Sequence, residues 1–102
     1  MKKSKSNKNN GNGSATHNVR LEFTHPHAKT VSIAGTFNDW RPTSTPMIAM
    51  EDGHWVKELA LSPGRYEYLV VADGEWVSDP LAKETAPNPF GGVNSVLNVS
   101  AS

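Results

Sequence analysis

No cysteine occurs in the 102 residues. That removes disulfide frameworks, cysteine nucleophiles and thiolate zinc sites. No run of apolar residues approaches the roughly 18 that a membrane-crossing helix needs, and the opening lysines are not followed by the apolar stretch of a secretory signal. A cytoplasmic setting with no membrane role is the expectation. No Asp or Glu precedes Glu22, whereas Lys2, Lys3, Lys5 and Lys8 all fall before it. The formal net charge of zero therefore hides an asymmetry, since the other six basic residues face all ten acidic ones. A folded part with that acidic excess has no electrostatic reason to attract nucleic acid. Sustained helical periodicity is missing, as are the GxSxG, P-loop and HExxH patterns. Gly91-Gly92 precedes a strand rather than a helix, so it offers no helix N-terminus for a phosphate.

Residues 1–18 are Lys, Ser, Asn and Gly with almost no apolar content. They cannot bury enough surface to offset chain entropy, which predicts a disordered basic tail before a domain over 19–102. From Val19 the pattern changes to period two. Val19, Leu21 and Phe23 alternate with polar residues, which predicts a strand with one buried face. Strands are also expected at Val31–Ile33, Met47–Met50, His54–Leu61, Tyr66–Ala72, Glu75–Val77 and Ser95–Val99. Turn residues separate them at Asp52-Gly53, Ser62-Pro63-Gly64 and Asp73-Gly74. The segment Leu81–Gly92, with Pro87, Pro89 and two glycines, reads as a loop. Tyr66–Ala72 carries apolar groups on both faces and is expected at the centre of a sheet. Short strands at this spacing mean an all-β sandwich or barrel.

Few residues suggest chemistry. The acids sit mainly at turns (Asp52, Asp73) or at outward-facing strand positions (Glu22, Glu58, Glu67), where solvation and turn formation account for them. His25 and His27 lack a recognisable third partner for a metal, so no metal site and no cofactor are expected. The three tryptophans carry more information. Trp55 shares a face with Leu59 and Leu61 and reads as core. Trp40 lies in a loop and Trp76 just past the Asp73-Gly74 turn. Spacing alone leaves each as a core plug or a binding platform. A flat indole covers the C–H face of a sugar ring while its hydroxyls stay solvated, and an amide such as Asn94 can then fix the rim.

The ordered set Ile33-Ala34-Gly35-Thr36-Phe37-Asn38-Asp39-Trp40, Gly53-His54-Trp55, Pro63-Gly64-Arg65-Tyr66-Glu67-Tyr68, Asp73-Gly74-Glu75-Trp76, Asp79-Pro80 and Gly91-Gly92-Val93-Asn94-Ser95-Val96-Leu97 resembles one family. This is the glycogen-binding domain of the AMP-activated protein kinase β subunit, whose fold recurs as the N-terminal domain of isoamylases and branching enzymes. The resemblance runs from about Val19 to Val99. It implies an immunoglobulin-like β-sandwich of the early-set type and non-catalytic binding of α-1,4-glucan, whether glycogen, starch or maltooligosaccharide. It also implies that Trp40 and Trp76 stack on sugars, that Asn94 bonds their hydroxyls, and that Phe90 matches an apolar residue pushed into the glucan. Two positions depart from the family. Leu69 stands where the kinase domain has a sugar-contacting Lys, and Gly92 where it has a Thr. Each change removes polar contacts of roughly 0.5–1.5 kcal/mol, which predicts weaker binding or a shifted preference. The alternative is a protein-interaction module that packs on a glycogen-metabolising enzyme or on itself. The accessibility of Trp40 and Trp76 separates the two readings.

Overall fold

A computed structural model describes residues 16–101. Eight strands follow one another: β1 (His17–Thr24), β2 (Val31–Gly35), β3 (Ile48–Ala49), β4 (His54–Leu61), β5 (Gly64–Ala72), β6 (Glu75–Val77), β7 (Glu84–Pro87) and β8 (Val93–Val99). Short 3-10 turns occupy Thr36–Asn38, Pro42–Ser44 and Glu51–Gly53, and the described residues contain no α-helix. The strands form two antiparallel sheets. One runs β1-β4-β3; the other runs β2-β5-β8-β7, with β6 also paired to β5. The chain is an immunoglobulin-like β-sandwich.

The inner faces follow the alternation in the sequence. Leu21, Phe23 and Trp55 from the first sheet meet Val31, Ile33, Tyr68, Val70 and Ala72 from the second, with Met47 closing the edge. Trp55 is 8% exposed, as its strand pattern predicts. Its indole N–H donates to the His25 carbonyl at 3.2 Å, so the His25-Pro26-His27 break satisfies the one polar atom that Trp55 brings into the core. Tyr68 is 2% exposed and donates its hydroxyl to Asp79 at 2.6 Å. Burial, with the Asp79 carboxylate alongside, pushes the Tyr68 hydroxyl well above its ordinary pKa.

The two outer faces differ. Arg20, Glu22 and Glu58 cover that of the first sheet with exposed ion pairs at 2.8 and 3.6 Å. On the second, β5 is central, as its two apolar faces predict. One of its edges pairs with β2. The other is shared end to end, by β8 along Gly64 to Tyr68 and by β6 along Val70 to Ala72. Leu69 sits at the junction between those two partners.

Several details differ from the sequence expectations, among them that β5 and β8 each begin two residues early, at Gly64 and Val93. β1 begins at His17, so His17 and Asn18, placed in the tail by composition, pair with Leu61 and Ala60. Thr16 lies outside any strand, and residues 1–15 of that tail lie outside the described residues. Met47–Met50 yields a strand of two residues only. The Leu81–Gly92 loop contains β7, which hydrogen-bonds to β8 alone. Being an edge strand, β7 needs no apolar alternation and tolerates Pro87 at its end, so neither periodicity nor propensity marks it.

Candidate functional site

The pleat and the register carry particular side chains to the outer face of the second sheet. The Asp73-Gly74 turn, with φ of 50° and 83°, has the two left-handed positions of a type I′ hairpin. It sets Trp76 opposite Val71, and Val71 shares its face with Leu69 one step along β5. The register that pairs Tyr68 with Ser95 brings Asn94, the second residue of β8, beside Leu69 on that same face. Trp76 from β6 and Asn94 from β8 thus flank Leu69 at the junction of the two strands.

The Trp40 loop completes one wall. Gly35 ends β2 in such close contact with β5 that a Cβ would lie 2.6 Å from the Glu67 carbonyl and 2.9 Å from the Phe37 ring. The chain then turns through Thr36–Asn38 and places both Asp39 and Trp40 in the left-handed region, at φ of 56° and 58°. Left-handed backbone costs an L-residue roughly 1–2 kcal/mol. Asn38 holds it there. Its Oδ1 accepts from the Gly35 and Arg41 amides at 3.0 and 3.2 Å, and its Nδ2 donates to the Ile33 carbonyl and the Thr45 hydroxyl at 2.9 and 2.8 Å. A carboxamide has two donors and two acceptor sites, and all four are used.

The result is a groove of about 750 Å³. Trp40, Leu69 and Trp76 line it together with Phe90, Gly92 and Asn94, so all six site residues expected from the sequence come to one cavity. Trp40 is half-buried, Trp76 is 47% exposed and Phe90 is 92% exposed. Asn94 is 8% exposed and already engaged. It donates to a Glu67 carboxylate oxygen at 3.0 Å and accepts from Asn88 at 3.2 Å, which leaves one N–H and one acceptor site for a ligand. Arg65 holds the other Glu67 oxygen at 2.7 Å. The Asn94 amide first, and then Arg65, keep the Glu67 carboxyl below its ordinary pKa.

Ser78, Asn88, Pro89 and Val93 also line the groove and were not singled out from the sequence. The signal for Asn88 was present, since Asn-Pro ahead of two glycines is a turn-forming combination. None of the ten lining residues is Asp, Glu or His. The groove therefore has apolar platforms and amides, but no carboxyl pair for glycoside hydrolysis and no imidazole for acid–base work. The buried carboxylate nearest in sequence, Asp79, is occupied by the Tyr68 hydroxyl and by the Leu81 amide at 2.9 Å.

Residues 17–102 match the family described as "Glycogen recognition site of AMP-activated protein kinase". Over 81 residues, 79% of this chain, the sequence is 31% identical to the amyloplastic phosphoglucan phosphatase DSP4 of Castanea sativa. It is 30% identical over 71 residues, 70% of the chain, to 5'-AMP-activated protein kinase subunit beta-1 of Sus scrofa. The matched stretch amounts to 22% of the former protein and 55% of the latter. The crystal structure of a maltogenic amylase from S. marinus contains the same fold, with a TM-score of 0.71, 23% identity, 83% of this chain covered and 14% of the amylase.

Proposed function

This chain belongs to the family of the AMP-activated protein kinase glycogen recognition site, and on that premise we propose that its groove binds α-1,4-glucan by stacking sugar rings on Trp40 and Trp76. The module is a non-catalytic carbohydrate-binding domain. The observation that supports this site above others is the coincidence, in one carboxyl-free groove, of two indoles with an amide whose hydrogen-bonding capacity is only half used. Indoles cover the C–H faces of successive glucose units, and Asn94 meets a hydroxyl at the rim. Phe90 adds an exposed ring to the lining. With Leu69 and Gly92 adding no polar contact, two stacked rings correspond to a Kd of roughly 10⁻⁵–10⁻³ M.

The accessibility of Trp76 favours the carbohydrate reading over one in which the indoles serve packing alone. A contact with a glycogen-metabolising enzyme is the second element of the proposal. Its support is that the matched relatives are longer proteins and that Ile48 and Met50 are exposed at the edge of the three-stranded sheet, away from the groove residues in the second sheet. A cytoplasmic setting belongs to the same proposal and rests on the cysteine-free sequence; cell fractionation tests it. Glucan binding is tested by co-sedimentation with glycogen. The wild type is expected in the pellet and Trp76→Ala in the supernatant, with little effect of added salt; equal partition of the two proteins contradicts the assignment.

A further inference from the structure

Phe90 has almost no packing to hold it. Its ring is 92% exposed, so only the backbone path between Asn88 and Gly92 decides where it stands over the groove. One side chain closes that path. Asn88 Oδ1 accepts from the Phe90 amide at 3.0 Å and from the Gly92 amide at 3.1 Å. The Asn88 amide in turn donates to the Gly92 carbonyl at 3.0 Å. Between them Gly91 takes a φ of 88°, a conformation that glycine adopts without steric cost. The same Asn88 carboxamide reaches inward, and its Nδ2 donates to Asn94 Oδ1 at 3.2 Å. Asn94 is anchored in turn by Glu67, and Glu67 by Arg65. A single half-buried asparagine therefore bonds on one side to the turn that carries the exposed aromatic, and on the other to the amide at the floor of the groove.

We propose that Asn88 is a positioning residue, which fixes Phe90 relative to Asn94 so that one glucan chain meets both at once. The proposal rests on the glucan-binding reading of the groove and adds a role for a residue that the family resemblance did not single out. An exposed ring on an unconstrained turn must be ordered when ligand arrives, and that ordering is charged against binding. With Asn88 in place the ordering is done in the free protein. The contributions of Phe90 and Asn88 are therefore coupled, whereas an asparagine that served only the fold would act independently of the ring at position 90.

The test combines Asn88→Ala, Asn88→Asp, Phe90→Ala and the Asn88→Ala/Phe90→Ala double variant, with hydrogen exchange at the amides of Phe90 and Gly92 and titration with maltoheptaose. Asn88→Ala is expected to speed exchange at both amides and to weaken binding by about three- to tenfold, with little change in melting temperature. Asn88→Asp keeps the acceptor for both amides and loses the donor to Asn94. It is expected to retain the exchange protection and to recover part of the affinity. In the Phe90→Ala background, the loss caused by Asn88→Ala shrinks. Wild-type exchange and affinity in Asn88→Ala, or a loss of full size in the absence of the ring, overturns the positioning role while leaving glucan binding intact. No binding of maltoheptaose by the wild type overturns the functional reading, and this proposal with it.

Discussion

Two loops wall the groove, and each is closed by one asparagine. Asn38 closes the loop that carries Trp40, and Asn88 the turn that carries Phe90. Their anchors differ. Asn38 bonds to the carbonyl of Ile33, a fully buried core residue, and to the buried Thr45. Asn88 bonds to its own turn and to Asn94, a lining residue of the groove. Trp40 is half-buried, whereas Phe90 projects into solvent. The first loop is part of the fold and pays for two left-handed residues with four hydrogen bonds. The second is part of the site alone. Mutations should therefore reach stability through Asn38 and affinity through Asn88.

The largest effect is expected from Asn38→Ala. Loss of four hydrogen bonds at about 0.5–1.5 kcal/mol each, with the strained backbone left unsupported, costs about 2–6 kcal/mol of stability. At about 4–8 °C per kcal/mol for a domain of this size, the melting temperature should fall by about 10 °C or more. Asn88→Ala should move it by far less. Comparable melting temperatures for the two variants would erase the distinction between the loops.

Much of this was legible in the sequence. Alternation from Val19 onward gave the strands and the two-sided pattern of Tyr66–Ala72 gave the central one, because buried faces leave a period in the residue types. The Phe37-Asn38-Asp39-Trp40 and Asp73-Gly74-Glu75-Trp76 motifs, with Asn94, named the groove's residues because their order matches a known family. β7 left no trace, since an edge strand without buried residues has no period to show. Asn88 was overlooked for a related reason. Its partners are backbone amides of its own turn and the Asn94 side chain; the Asn-Pro pair marks a turn, but no residue pattern marks those bonds. The bonding of Asn38 to Ile33 and Thr45 likewise appears only once the chain is folded.

A smaller effect sharpens the comparison from the ligand side. Trp40→Ala should lower affinity for maltoheptaose by ~1–3 kcal/mol, the scale of one stacking contact, and should also relax the loop and lower the melting temperature. Phe90→Ala should weaken binding by less and leave the melting curve where it was. Calorimetric titration beside thermal melts separates the two. Smaller still is the gain from returning polar groups to the groove. Gly92 is not left-handed, and a Cβ there would make ordinary contact with the Asn88 amide at 3.5 Å. Gly92→Thr should fold normally and, with Leu69→Lys, tighten binding by about 0.5–1.5 kcal/mol per recovered contact. Unchanged affinity in both variants would mean that these positions do not face the ligand.

The smallest effect is electrostatic. The Asn88 turn connects through Asn94 to Glu67, whose carboxyl is held below its ordinary pKa by the Asn94 amide and by Arg65. The Asn38 side chain has no bond to Glu67, and its loop reaches only the Glu67 backbone, whose amide donates to the Thr36 hydroxyl at 3.3 Å. A depressed carboxylate contributes stability above its unfolded pKa and loses it as pH falls through the lower folded value. Glu67 should therefore leave maltoheptaose affinity flat between about pH 7 and pH 5, with weakening only at more acid pH. A titration step near neutral pH would exclude Glu67 as its source.

The most direct measurement is an amide and indole chemical-shift titration of the isotope-labelled chain with maltoheptaose. The indole N–H signals of Trp40 and Trp76 and the amides of Phe90 and Asn94 should shift together and saturate at one Kd, while the indole of Trp55, bonded to His25 in the core, stays still. Shifts confined to the three-stranded sheet, or none at millimolar sugar, would contradict the assignment of the groove as a glucan site.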